Sequence, residues 1–84
     1  MPIKEEMTFM KATTLSDAPI GQFMRIQELQ SEPAVCQRLR ELGFCENALV
    51  RCMVNTQGNL ICEVCHSRVG LTNKIAQDIV VAPC

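Results

Sequence analysis

The chain contains no tryptophan and no tyrosine, and only three phenylalanines, Phe9, Phe23 and Phe44. Aromatic platforms for stacking bases are therefore lacking, and any core must be mainly aliphatic. A dominant sign of charge is also missing. Eight Lys and Arg stand against nine Asp and Glu, a net charge of −1, and the basic residues are scattered apart from Arg38 and Arg40. Without a basic stripe, nucleic acid is not an expected partner. No apolar run approaches the roughly 20 residues that a membrane-spanning helix needs. The first eleven residues carry Lys4, Glu5 and Glu6 and lack the basic-then-apolar order of an export signal. Direct membrane insertion is not expected, and a cytoplasmic location is. Histidine occurs once, at His66. With no Ser-His-Asp set, no paired-carboxylate site and no phosphate-binding glycine loop, an enzyme is not expected.

What is present fits one small domain. Of 84 residues, 48% are apolar and 20% charged, enough to build a single core but with a thin margin of stability. Residues 1–12 show no period and read as a flexible leader; the domain is expected over 13–84. Leu15 to Gly21 reads as a short strand end followed by a turn punctuated by Pro19 and Gly21. Gln22 to Leu29 is an irregular strand carrying Phe23, Met24, Ile26 and Leu29. Glu32-Pro33 opens a helix, since proline at the first helical position loses no hydrogen bond. Val35, Leu39 and Leu42 then form an apolar stripe with Cys36 beside them, leaving Gln37, Arg38, Arg40 and Glu41 facing away. Gly43 supplies a left-handed residue to end the helix, and Phe44 folds back onto its last turn.

The second half alternates with a period of two. In Ala48 to Thr56, Val50, Cys52 and Val54 share one face, and Leu49, Arg51 and Met53 the other. Gln57-Gly58-Asn59 is a hairpin turn, and Leu60 to His66 the return strand, with Leu60, Cys62, Val64 and His66 on one face. Ser67 to Gly70 is expected to break that strand. Thr72 caps a helical turn running to Ala76, and Ile79 to Val81 is a last strand closed by Pro83. The fold class is mainly β: a small barrel of about five strands with one short α-helix, closed so that no sticky edge remains.

In this order the segments Leu15…Ile20-Gly21…Ile26 and Arg38-Leu39-Arg40-Glu41-Leu42-Gly43-Phe44 resemble the ferrous iron transport protein A (FeoA) family. Its members are similar in showing a turn glycine, a strand, and a helix that ends in Arg-Leu-x-x-Leu-Gly-hydrophobic. The family often carries Pro-Gly at the next turn; here Glu46-Asn47 stands there. Gly70-Leu71…Ala76…Ile79-Val80-Val81 looks like the family's closing segment. The resemblance spans residues 13–82. It implies an SH3-like barrel, a role as a small accessory protein of ferrous iron uptake, and a partner in a membrane-bound permease that carries a GTPase domain.

Six cysteines suggest disulfides in an exported chain and reduced thiols in a cytosolic one. Cys36 and Cys52 sit in apolar patterns and read as core. Cys62-Glu63-Val64-Cys65-His66 spells Cys-x-x-Cys-His, which has several readings. Haem attachment needs export, and a redox pair needs a helix N-terminus to lower the first thiol's pKa. A metal knuckle for Fe2+ or Zn2+ on Cys62, Cys65 and His66 is the alternative function. It requires the ligands to converge at about 2.0–2.3 Å from the ion. On a straight strand, Cys62 and Cys65 point to opposite faces, and Cys62 and His66 lie roughly 13 Å apart. Core packing for Cys62 and exposure for Cys65 is the simpler reading. Two partner-binding surfaces are expected: the helix face of Arg38, Arg40 and Glu41, and an apolar loop carrying Val69 and Leu71.

Overall fold

The computed structural model describes residues 13–83; the leader expected over 1–12, and Cys84, lie outside them. Six strands form one antiparallel sheet. They are β1 (Thr13–Thr14), β2 (Phe23–Leu29), β3 (Leu49–Thr56), β4 (Asn59–Val64), β5 (Ser67–Thr72) and β6 (Ile79–Pro83), in spatial order β1-β6-β2-β3-β4-β5. Two helices interrupt them, α1 (Pro33–Glu41) and the short α2 (Asn73–Ala76), with a 3-10 turn at Leu15–Asp17. The sheet wraps one core. Leu15 beside one margin and Leu71 on the other belong to the same buried cluster. The turn of α2 packs against β4, β5 and the 3-10 turn, tying the two margins together.

Helix α1 is specified by local signals at both ends. Pro33 opens it after Glu32. At its end Gly43 takes φ 107. The Phe44 N–H donates to the Leu39 carbonyl at 2.8 Å and the Gly43 N–H to the Arg40 carbonyl at 3.1 Å, the paired bonds of a Schellman stop. Phe44 then lies fully buried in an otherwise aliphatic and thiol core with Leu39, Ile26, Val50 and Leu60. Thr72 caps α2, its Oγ1 accepting from the Ile75 N–H at 3.3 Å.

The expected mainly β fold of about five strands is present, with Thr13–Thr14 adding a short sixth against β6. Three local expectations are corrected. The return strand stops at Val64: Cys65 and His66 both take positive φ, 52 and 64, a two-residue turn of the kind that matches strand twist. Ser67 to Gly70 is consequently strand β5, paired with β4 from Val64↔Ser67 to Asn59↔Thr72, and His66 does not share the face of Cys62. A register shift between Cys52 and Val54 leaves Met53 as a bulge. Val54 is thereby turned outward, 45% exposed, away from the face of Val50 and Cys52. Leu42, expected on the buried helix stripe, is 42% exposed, because the helical path ends there and the chain turns at Gly43. A second register shift between Ile26 and Glu28 accounts for the irregular period of β2: Ile26 and Leu29, three apart, both point inward.

Candidate functional site

On the outer face of the sheet, one row crosses four strands: Phe23 opposite Arg51, Arg51 opposite Glu63, and Glu63 opposite Arg68. The Arg51 guanidinium lies over the Phe23 ring, 4.6 Å from its centre, and forms an ion pair with Glu63. The Arg51 hydrogen bond holds the Glu63 carboxyl below the usual carboxylate range. Arg51 thus orients a ring on one side and a carboxylate on the other. Beside this row Phe23, Ala48, Leu49, Glu63, Cys65 and His66 line a groove of about 420 Å3. Phe23 and Leu49 are 43% and 44% exposed, an apolar wall that no described residue covers.

Two turns shape the groove's rim. The Ala48 N–H donates to the Cys45 carbonyl at 3.0 Å, closing a β-turn in which Asn47 has φ 75. Asparagine tolerates the left-handed region, so Glu46-Asn47 does the work of a Pro-Gly pair. Arg25 braces the turn, Nη1 donating to the Asn47 carbonyl at 2.9 Å. The other rim is the Cys65-His66 turn. Gly43 sits against it: a Cβ at Gly43 would come within 3.1 Å of Cys65 Sγ. Sequence reasoning missed Phe23, Ala48 and Leu49. The available signal was an apolar residue at each outward position, Phe23 on β2 and Leu49 on β3, where alternation otherwise puts Arg25 and Arg51.

The residues of the Cys-x-x-Cys-His motif are divided between two environments. Cys62 is fully buried, directly opposite Cys52 on β3; burial pushes its thiol up to about 12. Cys65 and His66 are exposed together at the turn. Among the described residues no group of three or more His, Cys, Asp and Glu is arranged to hold a metal ion. Cys36 is buried, its Sγ 3.1 Å from the Ser31 carbonyl, and Cys45 is half-buried; Cys36, Cys45, Cys52, Cys62 and Cys65 are free thiols. On α1, Arg38, Arg40 and Glu41 are exposed, with Arg40 paired to Glu46 at 2.9 Å. The apolar loop expected around Val69 and Leu71 is instead strand β5. Val69 packs against the core and Leu71 is 6% exposed, because both alternate with Arg68 and Gly70 and face inward.

A short-stranded antiparallel sheet coiled about one core, with an exposed apolar groove on its outer face, defines a small SH3-like β-domain. The chain belongs to the FeoA domain family, whose family model matches residues 13–83. That family is associated with ferrous iron transport, and its members are generally non-catalytic accessory proteins. Among solved structures, the chain is similar to a FeoA from Stenotrophomonas maltophilia described as a prokaryotic SH3-domain protein complexed with zinc. The two are 32% identical, with 82% of this chain and 88% of that chain covered and a TM-score of 0.67. It is similar in fold to a FeoA described as an iron uptake regulatory protein, at 18% identity, 86% and 97% coverage and a TM-score of 0.79. The FeoA of Chlorobium tepidum is 20% identical, with 84% and 70% coverage and a TM-score of 0.76. No curated protein matches the chain. Among the described residues no helix is long and apolar enough to cross a membrane.

Proposed function

We propose that this chain is a cytoplasmic accessory protein of ferrous iron uptake, acting as an SH3-like interaction module on a membrane permease that carries a GTPase domain. The observation that supports this reading is the groove between β2, β3 and the Cys65-His66 turn. A domain this small leaves Phe23 and Leu49 uncovered there. An aromatic and an aliphatic wall beside an ordered Arg51-Glu63 pair is the chemistry of a protein-docking surface, apolar at its centre and polar at its rim. The exposed Arg38 and Glu41 of α1 offer a second, charged surface to the same partner. Iron is the permease's cargo in this reading.

The test is a pull-down of the permease and its GTPase domain, with nucleotide turnover measured in parallel. Wild type is expected to bind and to change turnover; Leu49→Asp is expected to lose both while keeping its circular dichroism spectrum. Equal binding by the two proteins would move the docking site elsewhere, and no binding by either would end the reading. A second reading, a metal-binding module for Fe2+ or Zn2+ on Cys62, Cys65 and His66, draws on the turn that sets Cys65 and His66 side by side. It must recruit Cys62 out of the core. Anaerobic titration with either ion decides it: identical affinity for wild type and Cys65→Ser rules the module out.

A further inference from the structure

Among the described residues, strand β5 lies at one margin of the sheet and pairs with β4 alone. The two-residue turn at Cys65-His66 makes Val64 and Ser67 the closing hydrogen-bonded pair. Antiparallel pairing then alternates, so Cys62–Val69 and Leu60–Leu71 are bonded, and Glu63–Arg68 and Ile61–Gly70 are not. The backbone N–H and C=O groups of Arg68 and Gly70 therefore point away from β4, along the margin. Among the described residues no backbone group bonds to them. The usual protections of such an edge are proline, a bulge, short length or several charges. Against β4, β5 runs six residues with no bulge, contains no proline, and has one charge, Arg68. At the opposite margin, the described residues contribute only the two of β1.

The side chains on the outer face of β5 are as incomplete as its backbone. Arg68 stands beside Glu63, whose carboxylate is committed to Arg51. Among the described residues no carboxylate lies within ion-pair distance of Arg68. Gly70 has no left-handed φ to require glycine, and a Cβ there would meet only the Leu60 carbonyl oxygen at 3.9 Å. Glycine at this point instead leaves its cross-strand neighbour Ile61 and, beyond it, Val54 bare, 41% and 45% exposed. The margin thus offers a ladder of backbone donors and acceptors, a cation, and a gap beside an aliphatic strip, in that order along the strand.

We propose that β5 receives an extended segment of a partner protein as an added antiparallel strand, with an apolar side chain in the gap at Gly70 and, two residues on, a carboxylate beside Arg68. Main-chain bonds supply affinity and the alternate side chains supply selection. A second copy of this chain is disfavoured as the occupant: Ser67 to Thr72 contains no acid, so pairing β5 with itself sets the two Arg68 cations on one margin and adds no counter-charge beyond the Glu63 that each shares with Arg51. This surface adjoins the groove of Phe23 and Leu49 at Glu63, which lines the groove and lies opposite Arg68, but it does not depend on the permease reading.

The test uses the full chain and a nine-residue threonine-rich peptide carrying one isoleucine and, two positions on, one glutamate. Amide hydrogen exchange is the main readout. Binding is expected to slow exchange at the Arg68 and Gly70 amides at least about tenfold, since these become ladder bonds. Arg68→Glu is expected to weaken the peptide about fivefold, the range of one exposed charge pair, and a lysine peptide to reverse that preference. Gly70→Val is expected to abolish the isoleucine selection. Absence of binding up to about 1 mM peptide, binding without protection at both amides, or indifference to Arg68→Glu overturns the proposal. So does concentration-dependent protection of these amides without peptide, which would identify the occupant as a second copy.

Discussion

Gly43 is held by two constraints, and replacing it with alanine separates them. Its φ of 107 costs an L-residue about 1–2 kcal/mol in the left-handed region. Its new Cβ would also lie 3.1 Å from Cys65 Sγ and 3.5 Å from Cys65 Cβ; crowding of this kind adds about 1 kcal/mol or more. Gly58 and Gly21 supply the internal standard, since they have φ 89 and 83 with nothing within 4 Å of an added Cβ. Gly58→Ala should therefore cost about 1 kcal/mol through strain alone. Gly43→Ala should cost about 2–3 kcal/mol, a fall in Tm of about 10–20 °C for a chain of this length. Urea and thermal unfolding read both values. The backbone conformations are not identical, so the decisive comparison is a double-mutant cycle. In a Cys65→Ala background the Sγ contact is gone, and the cost of Gly43→Ala should drop by about 1 kcal/mol. If Gly43→Ala is as mild as Gly58→Ala, or its cost is unchanged by Cys65→Ala, the packing of the α1 stop on the β4-β5 turn is not as described.

Two further outcomes follow from the turn and the core. Replacing Cys65-His66 by Asn-Gly puts residues suited to positive φ where 52 and 64 are required, and should raise stability by about 1 kcal/mol, read as a higher urea midpoint. The Cys62 thiol titrates at about 12 in the folded chain against an ordinary 9.0. As pH rises the unfolded chain gives up this proton first, so the contribution is whole below 9.0 and is lost between 9.0 and about 12, at up to about 1.4 kcal/mol per pH unit. Urea unfolding of wild type and Cys62→Val from pH 8 upward checks this: the variant should show the shallower decline, and equal slopes would refute it.

What could be read from the amino-acid sequence was what is specified locally. Pro33 and Gly43 mark the ends of α1 by missing donor and missing Cβ. Gly58 marks the first hairpin and Thr72 the start of α2. Each acts within a few residues, so no knowledge of the fold is needed. The second hairpin lacked any such mark. Its turn residues are Cys65 and His66, neither of which advertises positive φ, and continuing the alternation through them gave a strand two residues too long. The error carried forward, making β5 a loop and turning Val69 and Leu71 from core into surface. The bulge at Met53 had the same effect on Val54, because one extra residue reverses every later side chain on that strand.

The candidate site was hidden for a related reason. Phe23 and Leu49 are apolar residues at outward positions, and pattern reading treats such residues as noise in the alternation or as extra core. They acquire meaning only once register sets Phe23 opposite Arg51 and Leu49 opposite Arg25. Cys-x-x-Cys-His is the converse case. Its spacing drew attention, yet an inward strand position takes Cys62 into the core and a turn takes Cys65 and His66 out of it. Spacing along the chain constrains chemistry only through the backbone that carries it. In this domain the backbone turns one residue after Val64, and that single turn both splits the motif and builds the rim of the groove.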